Sequence, residues 1–170
     1  MTLYLIIGKL VTMRIIGIDP GIAIVGFGII DVNGHKMTAV SYGAITTPAH
    51  TPMGERLLTI QNNMNTILDT YQPDVCGIEE LYFSKNVKTA MQVSHARGVI
   101  VCALEAHKVP TFHYSPTSVK SAIIGHGGAE KQQVQFMTKE LLKLKKVPKP
   151  DDVADALAIA ICHHHSVQLV

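Results

Sequence analysis

The sequence predicts an α/β fold, a five-stranded mixed sheet flanked by helices, and three observations predict it. Two runs rich in Ile and Val, Ile22 to Val32 and Met37 to Ile45, are joined by Asn33-Gly34, a strong hairpin turn. Two stretches with apolar residues at helical spacing are each followed by a short apolar strand. Two of the short apolar runs, RIIGIDPG at 14–21 and DVCGIEE at 74–80, deliver an acid to the strand end.

The first strand, Arg14 to Asp19, stops at Pro20 and Gly21. With the hairpin it makes a three-stranded antiparallel meander. From Met53 the apolar positions Met53, Leu57, Ile60, Met64, Ile67, Leu68 and Tyr71 recur at three and four, a helix ended by Pro73. Asp74 to Glu79 is the fourth strand. A helix over roughly Val87 to His107 contains ARGVIVCAL, a tract with almost no polar face. Such a helix must be covered on nearly all sides, by its own sheet and then by a second copy of the chain. Val109 to Tyr114 is the fifth strand. Ser115 and Pro116 open a short helix from the N-cap and first-turn positions, and Gly125 closes it. Helices from Ala129 to about Lys143 and from Asp151 to about His165 complete the order βββαβαβααα.

The chain of 170 residues, 47% hydrophobic and 16% charged, has length for one well-packed domain without disulfides or a structural metal. That domain is expected over 13–170, with residues 1–12 a dispensable extension ahead of Met13. A formal charge of +2 does not by itself announce nucleic acid. The lysines at 139, 143, 145, 146 and 149 form a local basic patch against Glu140 alone, which a solvated helix end explains. Cys76, Cys102 and Cys162 lie in apolar sequence with no paired spacing, as small core residues of a reducing compartment do. The hydrophobic runs are far short of a membrane span, and the N-terminal segment lacks a basic leader and a cleavage site. The expected location is the cytoplasm.

In GIDPG and GIEEL a glycine stands two residues before the acid, so Gly17 shares a face with Asp19, and Gly77 with Glu79. If the strands are neighbours, two carboxylates emerge side by side above a floor without side chains, where a helix can approach. The last helix, PDDVADALAIAIC, fits that place. Capping accounts for Asp151 at its start, but not for three aspartates. Asp152 and Asp155, at i and i+3, share a face with Cβ atoms roughly 5 to 6 Å apart. Asp155 lies among Ala154, Ala156 and Leu157, and acids are rarely buried unless paired or bound to a metal. At ~5.5 Å and an effective dielectric near ~20, each like-charged pair costs on the order of 3 kcal/mol. No cationic motif in the sequence obviously neutralises the four, so bound cations are the expected solution. All-oxygen ligands select Mg²⁺ or Mn²⁺, and two such ions could activate water for phosphodiester hydrolysis. The site reads as a metal-dependent nuclease or phosphotransferase.

IGIDPG, GIEELYFSKN, ARGV, the VK at 119–120, GGAEKQQVQ and DDVADALAIAICH together resemble, in order and spacing, the RuvC Holliday junction resolvases of bacteria. The resemblance covers Arg14 to about His165. It implies a ribonuclease H-like fold, a homodimer, paired symmetrical nicks across a four-way DNA junction, and cooperation with the RuvA and RuvB branch-migration proteins. Carried over by position, the catalytic and metal-binding acids are Asp19, Glu79, Asp152 and Asp155, the four chosen above. The resemblance also places Lys131 in catalysis, and Tyr82, Lys85, Lys120 and Lys131 on DNA. Lys131 falls in a first helical turn, where a cation opposes the macrodipole and suits a bound phosphate instead.

His163 to His165 look like a metal tract, but consecutive helical residues point about 100° apart and cannot converge on one ion. A helix-end role is expected for them. Three rival readings stand beside the resolvase: a nuclease of the same fold acting on structured RNA, a junction-binding protein without catalysis, and an actin-like ATPase. The last needs two related lobes, and the chain has length for one with no detectable repeat.

Overall fold

The computed structural model describes residues 12–81 and 87–167. The elements follow the expected order: β1 (Met13–Asp19), β2 (Ile24–Asn33), β3 (Lys36–Thr46), α1 (Met53–Tyr71), β4 (Val75–Glu79), α2 (Val87–Ala106), β5 (Thr111–Tyr114), α3 (Pro116–Ile124), α4 (Lys131–Leu141) and α5 (Asp151–Val167). The sheet order is β3-β2-β1-β4-β5, with β1 antiparallel to β2 and parallel to β4. It is a five-stranded mixed sheet of the ribonuclease H-like kind.

The period of two along β1 sorts its side chains onto two layers. Ile16 and Ile18 join Cys76 and Ile78 of β4 in a core closed by Ile60, Met64 and Leu68 of α1 and Ala96, Ile100 and Leu104 of α2. Ile15 and Val75 face the opposite core, built with Val119 and Ile123 of α3, Val134 of α4 and Leu157 to Cys162 of α5. Gly17, Asp19, Gly77 and Glu79 follow Ile15 and Val75 by twos. Both acids therefore emerge on the α5 side.

The fifth strand is shorter than expected. The Cys76 N–H donates to the Pro110 carbonyl at 2.8 Å, but proline has no N–H to return, so the strand begins at Thr111. Cys102 departs from its expected place as well. Cys76 and Cys162 are buried, whereas Cys102 is exposed on α2. The tract around it, ARGVIVCAL, has almost no polar face and so offers no periodic signal to tell its covered side from its open one. Among the described residues, no helix is long and apolar enough to cross a membrane.

Candidate active site

β1 and β4 run parallel with Gly17 level with Gly77 and Ile18 level with Ile78, which brings the ends carrying Asp19 and Glu79 side by side. Above them, α5 lies across β1 and β2. A Cβ at Gly17 would stand 2.0 Å from the Ala156 carbonyl oxygen and 2.6 Å from the Ala160 nitrogen, so no other residue fits beneath this helix. The same closeness recurs on β2, where a Cβ at Gly26 would lie 2.0 Å from the Asp152 carbonyl oxygen. Gly26 is the register partner of Asp19. Backbone contact at Gly26 thus fixes the first turn of α5, and with it Asp152, over the end of β1.

The helix supplies the other acids. Asp152 and Asp155 are half-buried, and Asp155 is bracketed by Ala154 and Ala156, which are fully buried. Asp19 is pushed up to about 8 by burial and by the charges of Glu79, Asp155 and Asp152, with Lys131 opposing. Glu79 is also raised, by burial first and then by Asp155, while a hydrogen bond with Asp19 holds it back. Holding a proton on one of these acids relieves part of the repulsion. Burial raises Asp155 too, against the pull of Lys131.

Lys131 is the first residue of α4, whose N-terminus is closed by a reciprocal capping box between Glu130 and Gln133. Its ammonium lies 2.8 Å from Asp155 Oδ2 and 3.7 Å from Asp151 Oδ2. Burial pulls this ammonium down, but Asp155 and the other two aspartates outweigh it and its pKa is raised. Here the structure corrects the sequence reading, which found no cation to balance the acids. The α4 and α5 starts are far apart in sequence, and only folding pairs them.

Asp151 departs from its expected capping role. It is the first residue of α5, and its carboxylate meets Lys149 at 2.6 Å and Lys131 instead of a helix N–H. Lys120 is half-buried on α3 and forms no ion pair with the four acids. Tyr82 and Lys85 lie outside the described residues. The histidine run is not a frayed helix end: α5 continues to Val167, and His163 and His164 are buried. His163 Nδ1 shares a 2.7 Å hydrogen bond with the Tyr114 hydroxyl, and His165 Nδ1 one of 3.0 Å with the Ala122 carbonyl.

Three residues without a role in the sequence pattern contribute to the site. Gly26 and Gly28 lie inside a strand rich in Ile and Val, and only the register with Asp19 and Gly17 shows that they too face the helix. Arg97 stands in the ARGV motif of the resemblance, but no local pattern assigns it a role. From α2 it donates through Nε to the Glu79 carbonyl at 3.3 Å and lies 2.6 Å from His113 Nδ1 through Nη2, tying the β4 end to β5.

Among the described residues, no three His, Cys, Asp or Glu side chains converge into a ready ligand cage. The donor set nonetheless fits a hard divalent cation in its chemistry. It offers carboxylate oxygens only, gathered from β1, β4 and α5, and their mutual repulsion exceeds what Lys131 offsets.

A family model, crossover junction endodeoxyribonuclease RuvC, matches residues 15–163. A crossover junction endodeoxyribonuclease RuvC of Brevibacillus brevis is 57% identical over 89% of this chain and 91% of its own. One of Clostridioides difficile is 54% identical over 92% and 93%. Among solved structures, Thermus thermophilus RuvC in complex with a Holliday junction substrate is similar at a TM-score of 0.88 and 34% identity, covering 92% of this chain and 96% of that one. The chain belongs to the RuvC family of crossover junction endodeoxyribonucleases.

Proposed function

We propose that the chain resolves four-way DNA junctions by paired symmetrical nicks, with Mg²⁺, or Mn²⁺ in its place, held by Asp19, Glu79, Asp152 and Asp155, two ions to a site. The observation that carries the chemistry is Asp19, raised to about 8 by burial and by three other carboxylates. Acids packed together at such expense mark a site that uses their charge. When bound, the ions supply a water activated for in-line attack and positive charge for the leaving oxygen.

The protein's own part is placement. The two parallel strands and the helix pressed on Gly17 and Gly26 hold the acids on rigid elements, so little reorganisation is needed as charge develops. Lys131, beside the α4 N-terminus, stabilises the charge of the reacting phosphate. Lys120, Tyr82 and Lys85 hold the DNA. Likeness to the Thermus thermophilus RuvC that was solved with a Holliday junction substrate supports a junction as the substrate. Two copies of the chain would make the paired nicks. The exposed apolar side chains Leu58 on α1 and Met91 on α2, with Cys102, suit that pairing. RuvA and RuvB are the partner proteins expected in the cytoplasm. Residues 13–170 form the working domain, which the start of the family match at residue 15 supports.

The test is incubation of purified protein with a synthetic four-way junction, with and without Mg²⁺, beside Asp19→Asn. Cleavage is expected only for the unaltered protein with the ion. Cleavage surviving EDTA or the substitution would overturn the mechanism, and binding without cleavage in the unaltered protein would make the chain a binding module.

A further inference from the structure

We propose that Asp151 is a positioning residue that receives Lys131 when a divalent cation takes Asp155. This rests on the reading of Asp155 as a cation ligand. The Lys131 ammonium already lies between the two carboxylates, 2.8 Å from Asp155 Oδ2 and 3.7 Å from Asp151 Oδ2. An ammonium and a divalent cation on one carboxylate repel each other, so a cation at Asp155 drives the lysine toward the nearest remaining negative charge. That charge is Asp151.

Three features suit Asp151 to the task. Its oxygens are divided: Oδ1 is held by Lys149 at 2.6 Å, which leaves Oδ2 facing Lys131. Its carboxylate is not consumed by capping, although the start of α5 favours a negative charge there. The third feature is Gln135, one turn after Lys131 on the same face of α4. It is only 6% exposed, yet its Nε2 completes no hydrogen bond of normal geometry. Buried amides are rarely left so. Its side chain lies close enough to Asp151 to help Lys149 hold that carboxylate below its usual range. Gln135 is thus a donor in reserve for a carboxylate that turns to take the lysine. The lysine stays at the site in both arrangements, available to a phosphate after the cation has bound.

The test is Mn²⁺ binding to the full chain, read from the electron spin resonance of free Mn²⁺, so that no turnover is involved. Asp151→Asn, Lys131→Met and the double variant complete a cycle, and thermal melts check folding. In the Asp151→Asn protein the lysine has nowhere to go and competes at Asp155, so affinity is expected to fall about tenfold. In the Lys131→Met background the same change is expected to do about twofold or less, because no lysine needs a place. Asp151→Glu is expected to restore binding. Equal weakening in both backgrounds would mean that Asp151 acts as a plain surface charge and would overturn the proposal, as would no weakening in either. Absence of Mn²⁺ binding by the unaltered protein would remove the cation site itself, a different failure from these two.

Discussion

Gly26 and the backbone of Asp152 are in direct contact, with the Asp152 carbonyl oxygen 2.0 Å from where a Gly26 Cβ would be. Both sides of this contact are backbone, so it cannot be relieved by turning a side chain. Gly26→Ala is therefore expected to destabilise the protein by roughly 1 to 3 kcal/mol, or to displace the α5 start. Because Gly26 is level with Asp19, displacement also separates Asp152 from Asp19. Gly54, in the first turn of α1, meets nothing within 4 Å, so Gly54→Ala should be neutral or stabilising by ~0.5 to 1 kcal/mol. Denaturant unfolding and junction cleavage of the two variants measure the contrast. A mild effect at Gly26 would mean that α5 is not held by that strand.

A second prediction follows from the acid cluster. Asp19 is raised from 3.8 to about 8, so between those values the folded chain holds a proton that the unfolded chain has released. By linkage, this group's contribution to stability is full below pH 3.8 and is lost as pH rises toward 8. A divalent cation replaces the proton and should restore what is lost. The stabilisation by Mg²⁺, seen as a rise in Tm, is thus expected to be larger at pH 8 than at pH 6. Asp19→Asn mimics the protonated acid, and should be more stable than the unaltered protein at pH 8 without the ion while losing cleavage. An Mg²⁺ effect equal at both pH values would argue that Asp19 is not a ligand.

The reading of Gly17 from sequence succeeded because it needed only the strand period and one helix rich in alanine. The same reasoning stopped short at Gly26 and Gly28, since glycines inside a long Ile- and Val-rich strand read as weak strand positions until the register with Asp19 and Gly17 is known. Asp19 and Glu79 were legible as acids that end apolar strands, and Asp152 and Asp155 as acids at i and i+3 that capping does not explain. Lys131 was legible as an oddity, a cation at a helix N-terminus. Its bond to Asp155 was not, because no local pattern encodes which two helix starts will meet. Asp151 was misread for the same reason, its position fitting a cap while its partners come from outside the helix. Cys102 was beyond periodicity altogether, in a helical tract with almost no polar face.

Acid stability supplies a third prediction, away from the site. His163 is 2% exposed, and burial, then the neighbouring His164, lowers it from 6.5 to about 4. The folded chain keeps this ring neutral while the unfolded chain takes up a proton. Its contribution is therefore complete above pH 6.5 and is lost as pH falls toward 4, by up to ~3 kcal/mol. His163→Phe should flatten that part of the stability profile, at the expense of the Tyr114 hydroxyl bond, worth about 1 kcal/mol. Chemical denaturation at pH 7 and pH 5 compares the two proteins. An unchanged slope would mean that the ring is protonated in the folded state after all.

Arg97 is the remaining link between the packing of α2 and the site. Its Nε reaches the Glu79 carbonyl and its Nη2 the His113 ring, so one side chain from the helix fastens the end of β4 to the end of β5. Glu79 itself is set by that strand end, since the Glu80 N–H beyond it is bonded to the Tyr114 carbonyl at 2.9 Å. Groups that orient a ligand-bearing backbone typically change rates by roughly 10-fold to 100-fold when removed. Arg97→Met is expected to lower single-turnover cleavage by about 10-fold while junction affinity stays within about twofold, because the loss is in placement of Glu79. Arg97→Lys keeps the charge without the planar fork that serves two acceptors, and should recover little. Weakened junction binding in step with cleavage would instead make Arg97 a DNA contact, and recovery by lysine would reduce its part to charge alone.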